Sequence, residues 1–214
     1  MRRSLLTVAA AAGLTAVSIG ALHAQGGSQP GAINLSAIEG GNYTADAGHS
    51  MIGFSVSHLG FNDYFGLFGD VTGNLALDTN DLSRSALEVW IPVATVTVPS
   101  AGLKDHLLRP GQNGAAPDFF GPQPVPARFV STNIELTGAT TANVTGQLTL
   151  NGITQPITIA AELVGMGTNG MNQKQTLGFH GTTSIQRSAF NIPFGIPFGI
   201  SDEVDFTISV AFEK

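Results

Sequence analysis

The stretch EVDFTISVAFE, residues 203–213, decides the reading of the chain. Val204, Phe206, Ile208, Val210 and Phe212 alternate with Asp205, Thr207, Ser209, Ala211 and Glu213. Successive side chains of a β-strand point to opposite faces, so this period of two describes a strand with one buried face and one face in water. The pattern recurs upstream. Val71, Gly73, Leu75 and Leu77 form one row, and Leu87, Val89, Ile91 and Val93 another. Val144, Gly146, Leu148 and Leu150 form a third, which runs into Asn151-Gly152, the strongest short hairpin signal. Ile157, Ile159, Ala161 and Leu163 return from that turn, and Leu177, Phe179, Gly181, Thr183 and Ile185 follow.

Adding ARFVSTNIEL (127–136) and the opening stretch HSMIGFSVSHLGF (49–61) brings the total to about eight strands, the number that closes into a barrel able to hold one ligand. Only SAGLKDHLL (100–108) reads as helical, with Ser100 placed to cap it. The expected fold is all-β, an antiparallel lipocalin-like barrel of about eight strands with one short helical insertion. The connection from Thr97 to Val125 carries much of RPGQNGAAPDFFGPQPVP (109–126), too rich in Pro and Gly for a strand. Its length suits either a lid carrying Phe119 and Phe120 or a packed cover over one barrel end.

The chain begins with Arg2 and Arg3, an apolar run from Leu5 through Leu22, and the small residue Ala24. This is the pattern of a secretory signal peptide over residues 1–24 rather than a membrane span. The arginine pair matches a twin-arginine signal only in part, so a general export route to the periplasm is expected. Residues 25–42, QGGSQPGAINLSAIEGGN, are rich in Gly and Ser and lack a period, which reads as a flexible lead-in to a single domain over 43–214.

Loss of Arg2 and Arg3 with the signal takes the formal charge from −6 to −8. Such a chain makes a poor partner for nucleic acid or for an anionic membrane surface. It has no Cys, so its stability in an oxidising compartment rests on packing. Charged residues make up only 11% of the sequence, against roughly 25% in an ordinary soluble domain. The chain has either a very large core or an apolar surface that faces something other than its own core.

Six pieces of the sequence, in order, resemble the YceI-like periplasmic proteins, a family of lipocalin-like barrels associated with polyisoprenoid or isoprenoid-quinone binding. They are YTADAGHSMIGFSVSHLGF (43–61), GLFGDVTGNLALD (66–78), DFF (118–120), PARFVSTNIE (126–135), VTGQLTLNGITQPITI (144–159) and SIQRSAFNI (184–192). The helical insertion departs from the family's Asp-x-His-Leu element, because Lys104 stands where that Asp falls, before Asp105, His106 and Leu107. The resemblance implies an apolar tunnel for an isoprenoid chain. Each buried methylene contributes about 0.8 kcal/mol, so such a tunnel binds by length and apolarity more than by identity.

The ligand contacts expected on this reading begin with Ile52, Phe54, Val56 and His58 in the opening strand. Phe65, Phe68, Leu75 and Val89 follow, then Phe119, Phe129, Leu148, Phe179 and Arg187. If Ile52, Phe54 and Val56 face inward, His58 does too, near the mouth. There it either meets a polar head group or is satisfied by a backbone carbonyl, the second reading being favoured. Arg187 is in phase with Phe179 and Ile185, so it also turns inward and needs a partner. That partner is an acid such as Asp105 or Asp118, or else the oxygen-bearing head of a lipid.

His49 is out of phase, His106 lies on the helix and His180 falls on a polar face, and none of their spacings is that of a metal site. No nucleophile elbow, phosphate loop or His-Glu-x-x-His element is present. A non-enzymatic carrier or store of an isoprenoid lipid or quinone is expected, with no cofactor and no metal. The alternatives are a less selective carrier of fatty acids or amides and an accessory protein acting on a bound quinone. The apolar rim and FNIPFGIPFGI (190–200) allow a homodimer or transient exchange with an inner-membrane donor or acceptor.

Overall fold

A computed structural model describes residues 30–214; the expected signal peptide and residues 25–29 lie outside the described residues. The strands are β1 (Gly41–Ala45), β2 (Met51–His58), β3 (Asn62–Phe68), β4 (Thr72–Leu77), β5 (Ala86–Ile91), β6 (Ala127–Leu136), β7 (Thr141–Leu150), β8 (Ile153–Thr168), β9 (Gln175–Gln186) and β10 (Glu203–Glu213). One helix, α1 (Ala101–Leu108), interrupts them, capped by the Ser100 hydroxyl accepting the Leu103 N–H at 3.2 Å. No helix among the described residues is long and apolar enough to cross a membrane.

All ladders are antiparallel, and the sheet closes into a barrel of eight strands. The ten segments reduce to eight because the first two strands are each broken once. β1 and β2 are successive parts of one strand, and both lie against β10: Ala45 faces Phe212, and Ser55 faces Asp205. β3 and β4 are likewise one strand, paired along its length with β2 and β1. The break between β1 and β2 is a 3-10 turn at Ala47–His49. Asp46 sets it by accepting the Gly48 N–H at 3.0 Å and holding His49 Nδ1 at 2.7 Å.

Local chemistry explains the rest of the register. Asn151 and Gly152 both have positive φ, 51° and 79°, as a two-residue hairpin turn requires. Gly146 has no side chain because Phe129 lies across it: a Cβ there would come within 2.4 Å of the ring. In β8 the alternation carries Leu163 inward, and a bulge between Leu163 and Gly165 then advances the phase so that Met166 is the next buried residue.

The two ends of the barrel differ. At one end, the connection 187–202 folds over the strands in two 3-10 turns, Arg187–Phe190 and Ile196–Phe198. Arg187 is 5% exposed and sits at the hub of this connection. Its Nη1 donates to the carbonyls of Ile192 and Phe194, both at 2.7 Å, its Nε to Ser201 at 2.8 Å and its Nη2 to Ile200 at 3.2 Å. Burial lowers its pKa, and Asp202, which binds Ser188, offsets part of that. The expected partners Asp105 and Asp118 are not used. The repeated Pro-Phe-Gly-Ile segment is the packed strand connection closing this end. Helix α1 covers the barrel beside it, and the Phe120 N–H donates to the Leu107 carbonyl at 3.1 Å.

At the other end the chain termini are stitched together. Residues 30–40 of the lead-in cross the strand ends, where the Met166 N–H donates to the Gly31 carbonyl at 3.2 Å. Lys214 Nζ reaches Glu39 Oε2 and the Gly40 carbonyl, each at 2.9 Å, and the Tyr43 hydroxyl donates to the Glu39 carbonyl at 2.6 Å. Glu213, 7% exposed, anchors the turn between β8 and β9 through Asn172 at 3.0 and 3.1 Å, Asn169 at 3.3 Å and Lys174 at 3.2 Å.

Replacing Arg187 with Met removes the side-chain donor from the buried Ile192 carbonyl and from the part-buried carbonyls of Phe194, Ile200 and Ser201. Denaturant unfolding is expected to show a loss of about 2–4 kcal/mol, since the buried acceptor bears the full cost of about 1–3 kcal/mol and the part-buried ones, which water can reach, bear less. The Asn172 amide, with Lys174 and Asn169, holds the Glu213 carboxyl below its ordinary range. Its stabilisation is therefore present above the unfolded-state pKa and lost as pH falls through the folded-state value. Unfolding measured from neutral pH downward should show the wild type ahead of E213Q by about 1–2 kcal/mol at neutrality, with the gap closing in acid.

Candidate functional site

Side chains do not fill the barrel. The inward faces of the strands enclose a cavity of about 440 Å³. That size is within the range of small-molecule sites. Ile157, Ile159, Phe206 and Ile208 face inward yet remain only half-buried, because they border this space. At the end closed by Arg187 the wall residues are fully buried, with Val71 at 1%, Val93 at 2% and Ile185 at 6% exposure. At the opposite end Leu35 and Leu136 line the same cavity at 43% and 54% exposure. The mouth therefore lies at the end where the termini meet.

The lip is built from three connections. The lead-in contributes Leu35 and Ile38 from a 3-10 turn at Leu35–Ala37. The β4–β5 connection contributes Thr79 and Leu82, and the β6–β7 turn contributes Leu136, Ala139 and Thr140. Close approach of the lead-in depends on glycine: a Cβ at Gly167, whose φ is +151°, would meet the Pro30 carbonyl at 2.2 Å. Among the described residues, no Asp, Glu, Lys or Arg lines the cavity. Its polar members are Thr79, Ser85, Thr140, Thr141, Thr183 and His180, and the His180 residue as a whole is exposed.

The structure brings seven of the expected contact residues to the cavity: Ile52, Phe68, Leu75 and Val89 on one side, Phe129, Leu148 and Phe179 on the other. Phe54 and Val56 share the inward face of β2 but lie beyond the cavity floor, with Phe54 packed on Phe68 at 5.4 Å between ring centroids. Phe65 is corrected outright. It pairs with Ser55, an outward position of β2, and is 63% exposed. Phe119 also leaves the site. Its ring packs on His106 at 5.1 Å and Phe194 at 5.4 Å, while its neighbour Phe120 lines the cavity.

The two polar candidates are at the wrong end for a mouth. His58 lies at the far end of β2, half-buried, edge-on to Tyr64 at 4.9 Å and bridged by backbone to Ile200. Arg187 gives its donors to backbone carbonyls. Asp118 instead binds His106 Nε2 at 2.8 Å and Arg109 at 3.0 Å, and those hydrogen bonds, His106 foremost, hold its carboxyl below the usual range. Lys104 is exposed on α1. Among the described residues no three His, Asp or Glu side chains converge on one point.

Sequence reasoning passed over Ile157, Ile159, Phe206 and Ile208, although all belong to alternating rows it identified; their phase was the available signal. It also passed over Leu35 and Ile38, which lie in a segment with no period to reveal an inward side.

Comparison with known proteins agrees with this architecture. The model of the YceI-like domain matches residues 43–212. A UPF0312 protein of Vibrio vulnificus (strain YJ016) is 36% identical over 162 residues, 76% of this chain and 80% of its own length. One from Ectopseudomonas mendocina is 33% identical over 145 residues, 67% and 72% of the two chains. Among solved structures, the YCEI protein of Campylobacter jejuni superposes with a TM-score of 0.58 at 25% identity, covering 74% of this chain and 89% of its own. Burkholderia cenocepacia BcnA gives 0.62 at 24% identity, over 78% and 98%. A polyisoprenoid binding domain from Saccharophagus degradans implicated in plant cell wall breakdown gives 0.53 at 14% identity, over 80% and 97%, a likeness of fold. With the family match spanning its whole barrel, this chain belongs to the YceI-like family.

Proposed function

We propose that this chain is a lipid-binding protein that holds an isoprenoid chain, as polyprenyl lipid or isoprenoid quinone, inside the barrel for periplasmic transport or storage. The observation that carries the reading is the cavity itself: about 440 Å³, walled by aliphatic and aromatic side chains and open at one lip. Ten methylenes moved from water onto such a wall gain roughly 8 kcal/mol, which offsets the cost of ordering a flexible tail. The fold shared with the S. degradans domain supports the same ligand class.

The residues describe a container rather than a catalyst. Among the described residues the cavity wall offers hydroxyls and hydrocarbon, and its one acid–base side chain, His180, belongs to an exposed residue on the outward phase of β9. His58 and Arg187, the polar residues that an accessory role in quinone chemistry would have used, lie outside the cavity lining. The reading of residues 1–24 as a signal peptide supports action in the periplasm, with transient contact to an inner-membrane donor or acceptor.

Ala161 sits on the cavity wall between Ala142 on β7 and Gly181 on β9, so the space in front of it is not filled by neighbouring side chains. A161F projects a phenyl ring into it. Titration of delipidated protein with a polyprenol should show binding weakened by about tenfold or more, while the melting temperature holds or rises because a cavity has been filled. Unchanged affinity in a folded A161F would contradict the proposed location of the ligand.

A further inference from the structure

We infer that the mouth selects by head-group charge: the cavity takes chains whose heads are uncharged and excludes carboxylates and phosphates carrying the same tail. This rests on the reading above and narrows its ligand class. Two independent observations lead to it, one inside the barrel and one at the rim.

Inside, an ionised head would meet no Lys or Arg, since none lines the cavity among the described residues. The available groups are hydroxyls, some already engaged, and His180, an exposed residue on the outward phase of β9 opposite Glu162. Ser85 Oγ accepts the Asp78 N–H at 2.9 Å, and Thr141 Oγ1 accepts the Thr137 hydroxyl at 3.0 Å. Hydroxyl donors serve the oxygen of a quinone, alcohol, ester or amide, whereas an anion withdrawn from water needs pairing they do not supply. A charged head must therefore stay outside.

Outside, the rim repels it. The charged residues on the elements around the lip are Glu39 on the lead-in, Asp78, Asp81 and Arg84 between β4 and β5, Glu135 on β6, Glu162 on the outer side of β8, and Lys174, Glu213 and Lys214 at the β8–β9 turn and the C-terminus. Each of the three cations is committed to an acid: Arg84 to Asp78 at 3.4 Å, Lys174 to Glu213 at 3.2 Å and Lys214 to Glu39 at 2.9 Å. Among the described residues, no Lys, Arg or His pairs with Asp81 or Glu135. These two flank the lip residues Leu82 and Leu136 and line one shallow groove together with Ser83 and Asn133. The groove beside the mouth is thus negative and rich in hydrogen-bond acceptors. It suits a hydroxyl or amide head and opposes a phosphate or carboxylate.

The test compares geranylgeraniol with geranylgeranyl phosphate, which share one tail, in displacement of a fluorescent apolar probe from delipidated protein at low salt and below the onset of micelles. The alcohol is expected to bind at least about tenfold more tightly, with the gap narrowing as salt is raised. In D81N/E135Q the phosphate should gain while the alcohol is unchanged; Asn at 81 keeps the oxygen that accepts the Ser83 N–H at 3.1 Å, so the local turn is retained. Equal binding of the two probes, or tighter binding of the phosphate, would overturn charge selection and leave the tail site standing. A gap that persists unchanged in a folded D81N/E135Q would overturn the role of these two residues. Failure of both probes to bind would overturn the isoprenoid reading itself and charge selection with it.

Discussion

The structure depends on β10 pairing on both sides along its length. It runs against β9 without interruption from Glu203 opposite Gln186 to Glu213 opposite Thr176. Its other edge is shared between β2 and β1. That double use turns an open sheet, with backbone donors and acceptors exposed along its margins, into a closed wall. Closure makes an interior possible, and the inward rows then determine what the interior is made of. Because each inward position is Leu, Ile, Val, Phe, Ala or Gly with few exceptions, the enclosed space is apolar before any ligand enters it.

A protein interior ordinarily packs to the density of an organic crystal, so a void of this size is maintained against the tendency to collapse. Here the wall is held by backbone ladders, and the ends by polar clamps outside the void. The Arg187 guanidinium gathers four backbone carbonyls into one hub at the closed end. At the mouth, Glu213 with its amide donors and Lys214 with Glu39 do the corresponding work. Polar chemistry therefore shapes the container without entering it. An apolar occupant that binds only the folded state adds to stability by mass action, so cargo and fold are linked.

Much of this was legible in the sequence, and the failures have physical reasons. Period-two rows identified β4, β5 and β7 to β10, and Asn151-Gly152 identified the hairpin. Inside such rows the inward phase is fixed by alternation, which is why Leu75, Val89, Leu148 and Phe179 reach the cavity. Where alternation stops, so does the inference: Phe119 and Phe120 are adjacent in a segment without a period, and Phe120, whose N–H donates to the Leu107 carbonyl, is the one that lines the cavity. Facing inward also does not specify height along the barrel. His58 follows the phase of Ile52, yet six residues of strand carry it past the cavity to the closed end. The phase of Arg187 calls for a partner, an acid or a lipid head group, but backbone carbonyls satisfy it, and carbonyls leave no mark in a sequence.

Membership of the YceI-like family and a charge-free cavity with a single exposed lip point to the same kind of occupant. The most direct test of that account is native mass spectrometry of the protein purified without detergent, followed by solvent extraction and identification of what it carries. The account predicts a stoichiometric, uncharged isoprenoid. A protein recovered empty, and still empty after exposure to membranes containing polyprenyl lipids and quinones, would contradict it.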